Sequence, residues 1–358
     1  MTPEENDSSG RPLNPTRADG PVLRPDGGRS TDRTSAPGFD GWSGQSKPGN
    51  TDATYTRTFE WSFRGDRLEW DIEIPISTYE YCTNRARTGQ YAIYLADPLQ
   101  RPFVDSLVER FENHCRDRSL GEHSRLYAAL RFVQHLEYTR DVDDTGHETY
   151  PKYAIETLVH RRGDCEDGTI LLGTLLWAMG YDIAVLLLPD AQHMVLGVAG
   201  EEFSGSSVEY EGTSYYVVET TDVGWDVGEF PPRYANTSVR PHHPEAQPIL
   251  LHEWEATPRN EDSAETLSGN GNLVDVTVHV SNFGDAPADD ISVQMEFERR
   301  DGDVVGRRAL TVDDGPLLPS DFTKYEGTLR VDTERKVRGR CQLGIGRQLH
   351  DESESDWQ

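Results

Sequence analysis

Apolar positions fall into three regimes along the chain. Residues 1–53 are mostly Gly, Pro, Ser, Thr, Asp and Arg with almost no aliphatics. Such a segment cannot bury enough surface to offset the entropy of ordering, so disorder is expected there. From Tyr55 the pattern changes. Tyr55–Phe63 and Leu68–Ile76 alternate aromatic or β-branched residues with polar ones around Arg64-Gly65-Asp66, which predicts a hairpin. Phe103, Leu107, Val108 and Phe111, and then Leu126, Ala129, Leu130, Phe132 and Val133, recur at helical spacing. A short helix over 154–161 precedes Gly163-Asp164, and a longer one from Cys165 to Met179 stops at Gly180, a residue suited to a left-handed cap. Strands are predicted over 181–188, 193–198 and 214–219. Helices followed by antiparallel strands make 54–235 an α+β domain.

A connection rich in Pro, His, Asn, Glu and Ser spans 236–271 and carries one apolar patch, Ile249–Trp254. Beyond it lie five short segments of period-two character, as in Val276, Val278 and Val280, between 272 and 348. They predict a small antiparallel β-sandwich, similar to Ig-like domains, followed by a solvated acidic tail over 349–358. The most apolar stretch, Thr169–Leu188, has the length of a membrane span. The turn Gly180-Tyr181-Asp182 breaks it into a buried helix and a buried strand.

Charge narrows the partners. The chain has 63 acidic and 35 basic residues, a net charge of −28, and only four of the basic residues are lysines. Nucleic acid and anionic membrane surfaces need a basic patch and are excluded as partners. Abundant carboxylates with arginine kept and lysine scarce look like adaptation to concentrated salt, where screening removes self-repulsion. The N-terminal 20 residues have neither a basic region nor an apolar run, so no signal peptide is expected and the location is read as cytoplasmic. Cys82, Cys115, Cys165 and Cys341 lie far apart without a CxxC pair, which argues for free thiols rather than disulfides or zinc.

One stretch carries chemistry. In Arg162-Gly163-Asp164-Cys165-Glu166-Asp167-Gly168, a cysteine opens an otherwise apolar helix. Free N–H groups at that end favour a thiolate and can donate to an oxyanion, while Asp164, Glu166 and Asp167 raise the thiol pKa. Asp164 is also placed to cap the helix. His193 opens a strand and Glu219 closes the next. If Val198 faces Ser214 in an antiparallel pair, the same register sets His193 opposite Glu219, where a carboxylate fixes the imidazole tautomer. Asp141–Gly146 has part of a calcium-loop pattern without its final glutamate and reads as an acidic loop. His242-His243 has no partner at metal-ligand spacing.

The order cysteine at a helix start, histidine at a strand start and acid at the next strand end resembles the transglutaminase-like superfamily of papain-like thiol enzymes, most of all its archaeal members. The resemblance covers about 150–228: the block Tyr150–Val159 leading to Arg162–Asp167, then Gln192-His193, then Glu219-Thr220-Thr221 with Gly224-Trp225. It implies that Cys165 is the nucleophile, His193 the general base and acid, and Glu219 the orienting carboxylate. The family pattern has Asp at the third place, so Asp222 is a rival. Tyr150 and Tyr153 are candidates for the side chain that completes the oxyanion hole. The expected activity is peptide or amide hydrolysis on a protein or peptide substrate with no cofactor and no metal. The alternative is a non-catalytic interaction module that keeps the fold.

Overall fold

The computed structural model describes residues 41–45, 53–85, 87–121, 123–234, 237–244, 247–259, 272–311, 315–332 and 335–358. These all belong to one compact unit. The disorder expected for 1–53 otherwise falls outside the described residues.

The architecture is α+β with antiparallel sheets. Its N-terminal half starts with a hairpin, Thr54–Phe63 against Asp66–Pro75, turning at Arg64 and Gly65, both with positive φ. Its inward face packs Trp61 and Trp70 edge to face at 4.8 Å, with Phe111 and Phe132 against them. These two phenylalanines come from the helices Arg101–Asp117 and Ser124–Gln134. Two further helices, Ile76–Asn84 and Tyr91–Ala96, lie between the hairpin and Arg101.

The helix Cys165–Ala178 runs through this core with Ile170, Leu171, Leu172, Leu175 and Leu176 all buried. An all-round apolar helix needs neighbours on every side. One neighbour is a five-stranded antiparallel sheet in the order Arg240–His242, Ile183–Leu188, His193–Ala199, Thr213–Val218, Ser207–Tyr210. Ile183, Val185, Leu196, Val198 and Val218 share the helix core, while Ala184, Leu186, Val195 and Val217 form a second small core on the opposite face.

Two four-stranded sheets then enclose a separate core. One orders Trp42–Gln45, Leu250–Pro258, Asn272–Asn282 and Phe322–Val331; the other orders Val304–Leu310, Ile291–Arg299, Val337–Ile345 and Gln348–Glu354. Three of these strands correct the domain limits read from sequence. Trp42, within the segment assigned to disorder, is buried on Phe297 at 4.8 Å and donates Nε1–H to the Val337 carbonyl at 3.2 Å. Burying one tryptophan contributes roughly 4–6 kcal/mol of transfer free energy, enough to hold a four-residue strand. The supposed linker supplies the strand Leu250–Pro258, in which Leu250, His252, Trp254 and Ala256 all face inward. It also supplies Arg240–His242 to the five-stranded sheet. The acidic tail is no tail up to Glu354: Gln348–Glu354 pairs with Val337–Ile345, and Asp351 is buried beside Arg85 and His252 at 3.8 and 3.2 Å.

Candidate functional site

Asp164 ends the loop before the cysteine helix and caps it. Its carboxylate accepts the Glu166 N–H at 2.9 Å, while Asp167 reaches back to the Asp164 N–H at 3.2 Å. Cys165 therefore sits on the first turn, where Asp164 takes the Glu166 and Asp167 N–H groups and the Cys165 N–H stands ahead of the cap. Thr169, one turn on, donates its hydroxyl to the Met194 carbonyl at 3.3 Å and ties this turn to the start of the histidine strand. Gly168 lets the end of the glutamate strand come close. A Cβ there would lie 2.9 Å from Thr220 Oγ1.

His193 Nε2 and Glu219 Oε2 are 2.9 Å apart, with both side chains almost fully buried. The other carboxylate oxygen accepts from the Thr220 N–H at 3.0 Å, the Thr221 N–H at 2.9 Å and the Thr221 hydroxyl at 2.7 Å. Burial pushes the Glu219 carboxyl up, but the His193 hydrogen bond and charge and the Thr221 donors outweigh it and hold it below the usual range. The register differs from the one read from sequence. Leu196 faces Val218 and Val198 faces Tyr216, a shift of two residues, because Glu211-Gly212 makes its own hairpin turn with positive φ at both positions. A shift of two preserves the face, so Glu219 becomes the diagonal rather than the direct neighbour of His193. Diagonal pairs are farther apart, and the longer glutamate side chain spans the gap. Asp222, the rival acid, is exposed and accepts the Val223 N–H at 2.8 Å instead.

Cys165 and His193 line one cleft of about 210 Å³ with Glu166, Leu187, Leu188, Pro189, Gln192, Met194 and Arg240. Among the described residues no hydrogen bond joins the thiol to the imidazole. The thiol takes a hydrogen bond from the Met194 backbone. Burial first, then Asp164, Glu166 and Glu219, push its pKa up to about 12 against that bond. Glu166 is likewise raised to about 7 by burial and by Asp164, Asp141 and Asp167. A neutral thiol and a carboxylate-anchored imidazole share the cleft.

Tyr150 and Tyr153 are elsewhere. Tyr153 is fully buried and accepts from Arg85 Nε at 3.1 Å, and Tyr150 donates to Glu156 at 3.0 Å under the Arg87 guanidinium. Two aromatics unmarked in the sequence are nearer. Tyr234 stacks on His193 with centroids 4.6 Å apart, and the exposed Tyr138 is close enough for the thiol and Asp164 to raise its hydroxyl to about 12, after burial. Tyr138 stands next to Gly163 in a two-residue parallel ladder, a contact no local pattern announces. Lys152 also went unmarked, although it is one of four lysines and lies in the block before the cysteine.

Carboxylate oxygens of Asp141, Asp164 and Glu166 lie within 4.8 Å of one another and form a set that can ligate a hard cation. Lys152 already brings a positive charge to this cluster. Its buried Nζ is 2.6 Å from Asp167, 3.0 Å from Asp144 and 3.7 Å from Asp141. Burial works against that charge, but Asp167 and Asp144 outweigh it and raise the lysine pKa. His243 pairs with Asp182 at 2.8 Å, and His242 packs edge-on to Tyr91. All four cysteines are free and buried, and among the described residues no helix is long and apolar enough to cross a membrane.

No family model and no curated protein matches the chain. Among solved structures, the crystal structure of the ApaA protein from Bordetella pertussis matches with 21% identity over 32% of this chain and 93% of that one. Its TM-score is 0.23, a likeness too slight to bear on fold or function.

Proposed function

We propose that the protein is a transglutaminase-like thiol enzyme that hydrolyses peptide or amide bonds through Cys165, His193 and Glu219. The observation that carries this reading is the buried His193–Glu219 pair opening onto the cleft that holds a cysteine on a helix N-terminus. Glu219 fixes Nε2, which leaves Nδ1 to take the thiol proton as Sγ attacks the carbonyl carbon. The Cys165 N–H, the first-turn donor that Asp164 does not take, then steadies the oxyanion. Nδ1–H next protonates the leaving nitrogen as the C–N bond breaks. Water, deprotonated by the same nitrogen, cleaves the thioester and restores the thiol. With the thiol pKa near 12, proton transfer accompanies attack instead of preceding it as a standing thiolate–imidazolium pair. The same reading places the enzyme in the cytoplasm with free thiols and takes its acidic surface as salt adaptation, so assays belong in molar KCl.

The test is an activated ester. With p-nitrophenyl acetate, a nitrophenol burst equal to the enzyme concentration and an acetyl mass on Cys165 are expected, both lost in Cys165→Ser. Absence of burst and adduct across neutral pH contradicts the reading. One observation favours a second reading, a non-catalytic interaction module: the thiol bonds to Met194 rather than to His193. That reading expects no burst.

A further inference from the structure

The cleft beside Cys165 is built from one row of the sheet. Arg240 faces Leu187 across the first strand pair, and Leu187 faces Met194 across the next. Directly opposed residues of an antiparallel ladder project from the same face. All three line the cleft, with Leu188 and Pro189 continuing the apolar wall. The same face of the edge strand brings His242 against Tyr91, two residues along, which fixes the direction of Arg240 independently. Arg240 is exposed and makes no ion pair among the described residues. It is the only arginine or lysine in the lining, in a protein of net charge −28. Glu166 also lines the cleft, and it and Asp164 act on the thiol as negative charges that disfavour anions beside it. An unpaired guanidinium at the far edge of an apolar floor makes the cleft two-ended, with the reacting carbonyl at one end and a carboxylate at the other.

We propose that Arg240 determines substrate specificity by binding a carboxylate of the acyl substrate, with an apolar group of the same substrate lying over Leu187 and Met194. The inference rests on Cys165 as the reacting group. The carboxylate comes from an acidic side chain or from a free chain end, and the two share the same guanidinium.

The test compares two thiol reagents of nearly equal size, anionic iodoacetate and neutral iodoacetamide, by mass spectrometry of the Cys165 peptide in native protein. Arg240→Gln is expected to lower the iodoacetate-to-iodoacetamide rate ratio about threefold to tenfold, and Arg240→Glu further, as expected for a partly screened charge at short range. Arg240 is exposed, and unchanged circular dichroism and melting confirm the fold of each variant. An unchanged ratio overturns the proposal. Because intrinsic reactivity cancels in the ratio, a slow Cys165 with both reagents combined with a falling ratio contradicts the enzyme reading and leaves the anion site standing. Protection of Cys165 from iodoacetamide by peptides separates the two sources. Acetyl-Leu-Glu-amide protecting better than acetyl-Leu-Gln-amide assigns a side chain, and acetyl-Leu-Leu with a free terminus protecting better than its amide assigns a chain end. Equal protection by charged and neutral peptides overturns carboxylate recognition.

Discussion

His193 Nε2 is taken by Glu219, so whatever the imidazole does toward the thiol it does through Nδ1, in an orientation set by one carboxylate. That carboxylate has a full set of partners, with Oε1 held by three donors from Thr220 and Thr221 and Oε2 by the ring. Shortening it by one methylene breaks the diagonal contact. Glu219→Asp is expected to slow Cys165 acetylation about 10–100-fold, the scale of a misplacement near 1 Å. Restoration of full rate by aspartate contradicts the diagonal geometry. The direction of the Glu219 shift also has a consequence for stability. A carboxyl whose folded pKa lies below its unfolded one contributes stability that is present above about pH 4.5. The contribution is lost as pH falls through the lower folded value. Glu219→Gln is therefore expected to flatten the acid limb of the melting-temperature profile below about pH 4.5.

The pieces of this site were legible at the level of elements because each rests on a local rule. Asp164 and Asp167 form a capping box, so the helix start at Cys165 can be read directly. The strand period of two places His193 and Glu219 on one face whichever even register applies, and so the contact survived a register shift that the Glu211-Gly212 turn imposes. What was not legible depends on distant partners. Tyr234 reaches His193 from an irregular segment, and Arg240 reaches the cleft from a three-residue edge strand inside what looked like a linker. The strand Gln348–Glu354 hid behind its composition, since its buried Asp351 is met by Arg85 and His252, far away in sequence. Element contacts also set a limit at Gly168. Gly168→Ala drives a methyl into Thr220, so about 1–3 kcal/mol of destabilisation is expected. Loss of acetylation out of proportion to the fall in stability, measured by urea unfolding beside the ester burst, ties Gly168 to the placing of the glutamate strand.

At the scale of the whole molecule, the two halves meet through a buried polar cluster whose histidines carry opposite demands. His252 has Ser353 at 2.7 Å on Nε2 and Asp351 at 3.2 Å on Nδ1. Burial disfavours its charge, but Asp351 and Cys341 raise it to about 10. Its contribution is complete below about pH 6.5, the unfolded value, and is lost as pH rises toward 10. His350 accepts the Leu250 N–H at 2.9 Å and must stay neutral; burial and then Arg85 depress it to about 4. Its contribution is present above about pH 6.5 and is lost as pH falls toward 4. Thermal stability is expected to peak near pH 6–7, with His252→Gln removing the alkaline limb and Asp351→Asn lowering the melting point throughout. Breaking a buried pair by removing one partner costs about 3–5 kcal/mol. A profile that is flat from pH 5 to 9 contradicts this assignment of charges.

The central claim, that His193 activates Cys165, is met most directly by the pH dependence of Cys165 alkylation with iodoacetamide in molar KCl, compared between the wild type and His193→Ala. The Cys165 thiol, raised to about 12, reacts sluggishly until strongly alkaline pH unless a base takes its proton as the sulfur attacks. The account predicts that the wild type reacts faster than an ordinary thiol near neutral pH, because His193 Nδ1 takes the thiol proton during attack. The variant should lose this advantage and climb only at high pH. Superimposable profiles for the two proteins would contradict it.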